Sequence, residues 1–235
     1  MAIAFVQDST ITTGSGTPCS AAVSISPSAG NALIVTVTKI TTLTQSIASV
    51  SDNIDGTTGW ALAVEYFPST STNYRGASIW YKANVPSGVT TVTVTGASVN
   101  VFDAMATEFS GLGTTITVQS TDTHSDSTVN SFTCSTAGLT YGSECLSVGA
   151  GALNGTSTEC NPGGSYTEMP ASQADAQRIR MYQLFASGCT NDTGPWSSTG
   201  TARSGRSCMA LFSGNAAAGG FFSRYYYERP GGVNV

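Results

Sequence analysis

Along most of the chain, apolar residues alternate with serine, threonine or another polar residue, and the 3.6-residue spacing of a helix face is nearly absent. Ala32-Leu-Ile-Val-Thr-Val-Thr38 and Thr90-Thr-Val-Thr-Val-Thr95 predict strands, rich in β-branched residues and flanked by Gly30 and Gly96. Similar runs predict strands at 3–6, 22–26, 47–51, 60–67, 77–82, 104–109, 116–120, 129–134, 145–149, 179–185 and 207–212. Turn-forming segments separate many of them, among them Pro27-Ser-Ala-Gly-Asn31, Asp52-Asn-Ile-Asp-Gly56, Pro86-Ser-Gly88 and Ser110-Gly-Leu-Gly113. Many short strands without a helical run of ten or more residues predict an all-β fold, an antiparallel two-sheet sandwich that is jelly-roll-like. The one candidate helix, over 170–177, is a turn or two long.

The sandwich is expected to be a single domain over residues 1–214, with loop-rich stretches at 150–177 and 186–206. A faint internal echo sets Met105-Ala-Thr-Glu-Phe-Ser-Gly111 against Met209-Ala-Leu-Phe-Ser-Gly214. The simpler reading is two strands of one sandwich ending in similar turns, in preference to a repeated domain.

Composition narrows the function classes. The chain has 32 serines and 34 threonines against nine Lys plus Arg, so its solubility rests on hydroxyls. A net charge of −5 and so few cations argue against nucleic acid as a partner. No apolar run approaches the roughly 20 residues of a membrane span, and Met1-Ala-Ile-Ala-Phe-Val6 lacks the basic start of a signal peptide.

Candidate chemistry is sparse. Six cysteines stand at 19, 134, 145, 160, 189 and 208, none in a Cys-x-x-Cys pair, and His124 is the only histidine, so no metal and no cofactor are expected. Cys160 and Cys189, each among turn residues, are the candidates for a disulfide joining the two loop-rich stretches. Asp122-Thr-His-Ser-Asp126 would place two carboxylates and an imidazole on one strand face, but an exposed polar strand is the plainer reading. Asp52-Asn-Ile-Asp-Gly56 resembles part of a calcium loop without its closing Glu and is expected to be an Asx turn before Trp60. Glu65, Asp103 and Glu108 are the acids from which a glycosidase pair would have to come.

The end of the chain has a different character. Ala216-Ala-Ala-Gly-Gly220 reads as a joint, and residues 215–235 as an aromatic arm whose Phe221, Phe222, Arg224, Tyr225, Tyr226, Tyr227 and Arg229 would bind a partner; the other reading is a terminal strand packed on its own sandwich.

The stretch 30–112 resembles a β-sandwich module of bacteriophage virion proteins. The residues that carry the likeness are Ala29-Gly-Asn-Ala-Leu-Ile-Val35, Val50-Ser-Asp-Asn53 with Trp60-Ala61, Ser78-Ile-Trp-Tyr81, Asn84-Val-Pro-Ser-Gly88 with Thr90-Thr-Val-Thr-Val94, and Glu108-Phe-Ser-Gly-Leu112. The resemblance implies a capsid decoration or cement protein, or a fibre domain, and carries no catalytic residues. The expected role is therefore a non-enzymatic component of a virion surface, assembled in the host cytoplasm as a homo-oligomer, with capsid protein or other virion subunits as partners. The alternative is a carbohydrate-binding module or fibre adhesin that stacks Trp60, Trp80 or Trp196 on a surface glycan; a glycosidase-like hydrolase ranks third.

Overall fold

A computed structural model describes residues 2–40, 46–67, 75–97, 101–135, 140–153, 160–170, 177–199 and 203–214. Among them there is no α-helix, and every paired strand is antiparallel. The all-β antiparallel fold expected from the sequence is present, but residues 1–214 hold two sandwich units and not the single one expected.

The first unit runs through β1 (Ala4–Asp8), β2 (Thr12–Thr13), β3 (Ser20–Ser24), β4 (Ala32–Ile40), β5 (Ile47–Asp52), β6 (Trp60–Tyr66), β7 (Arg75–Lys82), β8 (Thr91–Gly96) and β9 (Phe102–Ser110). Its larger sheet has the order β1-β9-β4-β7-β6, with β2 also on β9, and its smaller sheet is β3-β8-β5. The second unit comprises β10 (Ile116–Val129), β11 (Ser131–Ser135), β12 (Thr140–Tyr141), β13 (Cys145–Leu153), β14 (Cys160–Pro162), β15 (Thr167–Glu168), β16 (Arg178–Phe185), β17 (Cys189–Thr190), β18 (Thr193–Ser198) and β19 (Arg203–Gly214). Its sheets are β10-β19-β13-β16-β15, β11-β18-β14 and the two-stranded β12-β17.

Setting aside the short strands β2, β12 and β17, which have no counterpart in the other unit, each unit has eight strands in the same arrangement. The larger sheet is first-eighth-third-sixth-fifth and the smaller is second-seventh-fourth. First pairs with eighth, second with seventh and third with sixth, the nested pairing of a jelly roll; the fifth strand lies beside the sixth.

The two larger sheets pack face to face, making four layers. The core between them takes Ile3, Ile34, Ile79, Met105 and Phe109 from one unit and Leu146, Val148, Cys208, Ala210 and Phe212 from the other. Leu33, Val35 and Val37, on the opposite face of β4, pack against Val23, Val50, Val92 and Val94 of the smaller sheet. This explains two sequence textures. Strand β4 is nearly continuous in apolar residues because both faces are buried, whereas β8 alternates because Thr91, Thr93 and Thr95 lie half-buried on the outer layer.

The facing sheets run in opposite strand order. Strands β10 and β19 lie against β6, β13 lies against β4 and β7, and Phe5 of β1 stacks on Tyr182 of β16 at 5.4 Å. Equivalent strands β4 and β13 thus meet near the centre, the arrangement of two units related by an approximate two-fold axis.

The sequence echo falls on β9 and β19, the eighth strand of each unit. Phe109 and Phe212 both enter the central core, and the Ser-Gly after each ends the strand beside the start of its first-strand partner. Aligned on those Phe-Ser-Gly ends, Met105 matches Cys208, both in the central core, while Met209 turns to the outer core of its own unit. The repeated Phe-Ser-Gly is structural; the repeated methionine is a coincidence one residue out of register. The stretches expected to be loops, 150–177 and 186–206, instead contain β14, β15, β17 and β18 together with the ends of β13 and β19. Residues 171–176 of the candidate helix lie outside the described residues.

Both glycines of the echo sit against backbone. A Cβ on Gly111 would collide with the carbonyl of Ala2, and one on Gly214 with the carbonyl of Leu112; Gly111 also has φ +82°. Gly30 has φ +86° with nothing within 4 Å of an added Cβ. Gly111→Ala is therefore expected to cost about 1–3 kcal/mol in denaturant unfolding, and more than Gly30→Ala, which adds backbone strain alone. Equal costs at the two positions would show that the close approach does not matter.

Candidate functional site

The richest cluster of polar groups is the turn at 52–56, where the sequence hints at a cation loop. Asp52 ends β5 with its side chain fully buried. One carboxylate oxygen accepts the N–H groups of Ile54 (3.0 Å) and Asp55 (2.8 Å), and the other accepts Trp60 Nε1 (2.9 Å) and Lys82 Nζ (2.7 Å). Lys82 Nζ also meets Asp55 at 2.9 Å. Burial by itself would raise the pKa of Asp52, but the hydrogen bonds from Lys82, the two backbone amides and Trp60 together outweigh it and hold the carboxyl below its ordinary value. The ammonium of Lys82 stands where a bound cation would stand. Beside it, Asn53 Oδ1 accepts the amides of Thr90 and Thr91, and Asn53 Nδ2 donates to the carbonyl of Gly88, tying the turn to the start of β8. The site is an Asx turn locked by an ion pair, as its Asx residues lead one to expect.

The three acids named for a glycosidase pair do not converge. Glu108 is fully buried and accepts Gln7 Nε2 (2.6 Å), the Ser28 amide (2.9 Å) and Asn31 Nδ2 (2.5 Å). Asp103 lies on the opposite face of β9, in the layer between the units, where it pairs with Arg178 at 2.8 Å. Glu65 accepts the Ile47 amide at 3.1 Å, and burial raises its pKa. Strand β6, which carries Glu65, is three strand spacings from β9 in the sheet. Across the sheet Glu65 is in line with Ala104, four residues along β9 from Glu108, so the lateral spacing of about 14 Å is only part of their separation, which is beyond the range in which two carboxyls act across one glycosidic bond.

Asp122 and His124 do share a face of β10, where they lie opposite Met209 and Ser207. The Asp122 carboxylate accepts the amide of Ser135 at 2.5 Å, so it joins β10 to β11. Among the described residues no three His, Cys, Asp or Glu side chains gather as metal ligands would.

Of the tryptophans only Trp196 is a core residue. Trp60 and Trp80 are half-buried against the outer core of the first unit, and Trp196 is 1% exposed and stacked on Phe132 at 4.3 Å. They form no exposed row for a sugar.

All six cysteines are buried, and none is in a disulfide. The bond expected between Cys160 and Cys189 is not formed because the chain places the two in different layers of contacts. Cys160, on β14 opposite Ser198, packs with Cys134, Phe132 and Trp196; Cys189, on β17 opposite Tyr141, packs with Cys145 and Leu211. The arm residues Phe221, Phe222, Arg224, Tyr225, Tyr226, Tyr227 and Arg229 lie outside the described residues.

Sequence reasoning missed a buried polar chain in the second unit. Tyr166 donates its hydroxyl to Asp192 (2.7 Å), while Ser147 Oγ approaches the same hydroxyl at 2.5 Å. Burial, reinforced by the Asp192 charge, pushes the phenol's pKa well up, so it stays a donor. A tyrosine in a Gly-Gly-Ser-Tyr segment, far in sequence from both partners, carries no signal of this role. Between the units, Arg180 Nη2 donates to Thr38 Oγ1 at 2.6 Å, and Arg75 Nε to the carbonyl of Leu153, also at 2.6 Å. Both contacts cross the two-fold interface.

Asp52, Glu65, Asp103, Glu108 and Asp122 thus serve as structural ties. Asp52→Ala should destabilise the protein by about 3 kcal/mol in denaturant melts, since Lys82 keeps only the more exposed Asp55. Because the folded pKa of Asp52 is depressed, its contribution is complete above the unfolded value near 3.8 and is lost as pH falls through the lower folded value. The difference between wild type and Asp52→Ala should therefore shrink only below about pH 4; a difference that vanished at neutral pH would contradict the pairing. Comparison of the chain with protein-family models, curated proteins and solved structures finds no match.

Proposed function

We propose that the chain is a non-enzymatic structural protein of a virus particle, a decoration or cement subunit that stabilises the capsid surface. The observation that carries this reading is the rooting of the aromatic C-terminal segment. It continues directly from β19, an inner strand of the four-layer body, whose last residue Gly214 is seated against Leu112 and paired with Ile116. A four-layer body whose inner strand β19 is followed in the sequence by five aromatic residues suits adhesion, since burying even part of those rings is worth several kcal/mol at about 25 cal/mol per Å².

Two further features support the same reading. The side chains that could carry chemistry are spent on internal ties, as the Asp52–Lys82, Asp103–Arg178 and Glu108 contacts illustrate. The outer strands present hydroxyls, as on β8, a neutral surface compatible with repeated neighbours. The partners are capsid protein, other virion subunits and sibling copies in a homo-oligomer, and the place of action is the virion surface after assembly in the host cytoplasm.

Truncation tests the proposal. Removing residues 216–235 should leave a folded protein with an unchanged thermal midpoint, while sedimentation and particle-binding assays show loss of the oligomer or of capsid attachment. Normal assembly by the truncated chain would overturn the adhesive role of the arm, and failure to fold would make the segment part of the core.

A further inference from the structure

Five of the six cysteines belong to the second unit, and two of them touch. Cys145 begins β13 in the inner sheet, Cys189 lies in the two-residue strand β17, and their sulfurs are 3.6 Å apart, in van der Waals contact. Leu211, Tyr141 and Phe185 close around them in a small core of their own. Two other cysteines are turned elsewhere: Cys134 Sγ lies 3.2 Å from Ser207 Oγ, and Cys208 points into the central core.

We propose that Cys145 and Cys189 form a disulfide when the protein meets an oxidising disulfide such as oxidised glutathione. The step is thiol–disulfide exchange. The Cys189 thiolate attacks one sulfur of the small disulfide, forming a mixed disulfide and releasing one small thiolate. The Cys145 thiolate then attacks Cys189 Sγ, the protein S–S bond forms, and the second small thiolate leaves. Two protein thiols are oxidised, one small disulfide is reduced to two thiols, and the two protons pass from the protein sulfurs to the released ones.

The placement explains what the bond would do. Residues 145 and 189 are 44 apart, and the chain between them includes β14, β15 and β16. Sheet β12-β17 has only two residues in each strand, too little pairing to hold itself in place. A bond from β17 to β13 would fasten that sheet to the inner layer and constrain the unfolded chain over the whole loop. Cys189 is 7% exposed and Cys145 is fully buried, and burial pushes both thiols' pKa values up. Exchange therefore begins when the short strand β17 opens, and Cys189 reacts first. The first unit holds only Cys19 and has no counterpart. The inference does not depend on the virion reading.

The test uses the full chain, equilibrated in buffers from fully reduced to fully oxidised glutathione, then quenched by alkylation and mapped as peptides without reductant. The expected product joins the Cys145 peptide to the Cys189 peptide, with the other four cysteines alkylated after denaturation. The thermal midpoint should rise by roughly 5–15 °C on oxidation and return on reduction. Cys189→Ser should abolish that rise and Cys160→Ser should leave it intact. Full alkylation of both Cys145 and Cys189 at every redox ratio, including after refolding in the oxidised buffer, would overturn the proposal, as would a bond from Cys189 to Cys160. The peptide map of the unaltered chain decides the matter even where a variant does not fold.

Discussion

Burial of two sheets on both faces is the constraint on which the rest of the structure depends. An antiparallel sheet ordinarily keeps one face in water, but here β4, β9, β13 and β19 face other protein on either side. Most of the charged and hydroxyl groups that such strands carry have partners in place, although Thr36 Oγ1 on β4 is buried without one. Asp103 is matched by Arg178, Glu108 by Gln7 and Asn31, Ser147 by Tyr166, and Thr38 by Arg180. Each match is a tie between strands or between units, so desolvation, which penalises an unpaired polar group, here fixes how the layers register.

The same strand pairing is filled by different side chains in the two units. The outer core of the first is mainly valine, with Val23, Val35, Val37, Val50, Val85, Val89, Val92 and Val94 meeting across β4, β8 and their neighbours. In the second, Trp196 and Phe132 stack in the corresponding space with Met181, Met209 and Cys134 around them. The larger rings need room, and β13 supplies it: a Cβ on Gly151 would come within 2.8 Å of the Trp196 ring, and one on Gly149 within 2.8 Å of Met181. The same strand pairing accommodates different side chains, as expected if volume and hydrogen-bond register, rather than particular residues, are what a sandwich requires. The approximate two-fold relation between the units fits the duplication and fusion of an eight-stranded ancestor that paired through its larger sheet.

How much of this could be read in the chain differed between the units for the same reason. In the first, β-branched residues mark strands directly, and inner and outer positions differ as continuous and alternating runs. In the second, β18 alternates in burial through Gly194, Trp196 and Ser198, but only one of those three presents a large apolar side chain, and Pro195 argues against a central strand. Strand β14 ends in Pro162, and β15 and β17 are two residues each, so the region read as loop. Strand β10 continues past residue 120 through polar residues at the edge of its sheet, with Thr121, Thr123 and Ser125 exposed. The common arrangement of the two units was nearly invisible because its one echo in the sequence is Phe-Ser-Gly.

The candidate chemistry was hardest to judge, because residue type does not reveal which face or which layer a side chain occupies. Asp103 and Glu108 are five apart on one strand, an odd separation that sends them to opposite faces, so their proximity in sequence misleads. Asp52 and Asp55 look like cation ligands until Lys82, 30 residues from Asp52, arrives from β7 to take the position. Cys160 and Cys189 look equivalent as loop cysteines, yet one belongs to the sheet β11-β18-β14 and the other to β12-β17. In a chain with so few charges, an acid or thiol in a strand-rich segment is first a problem of burial that the fold must solve, and most of its partners are distant in sequence. A functional reading of such residues has to begin from the pairing order of the sheets, which assigns each one a face before it can be assigned a role.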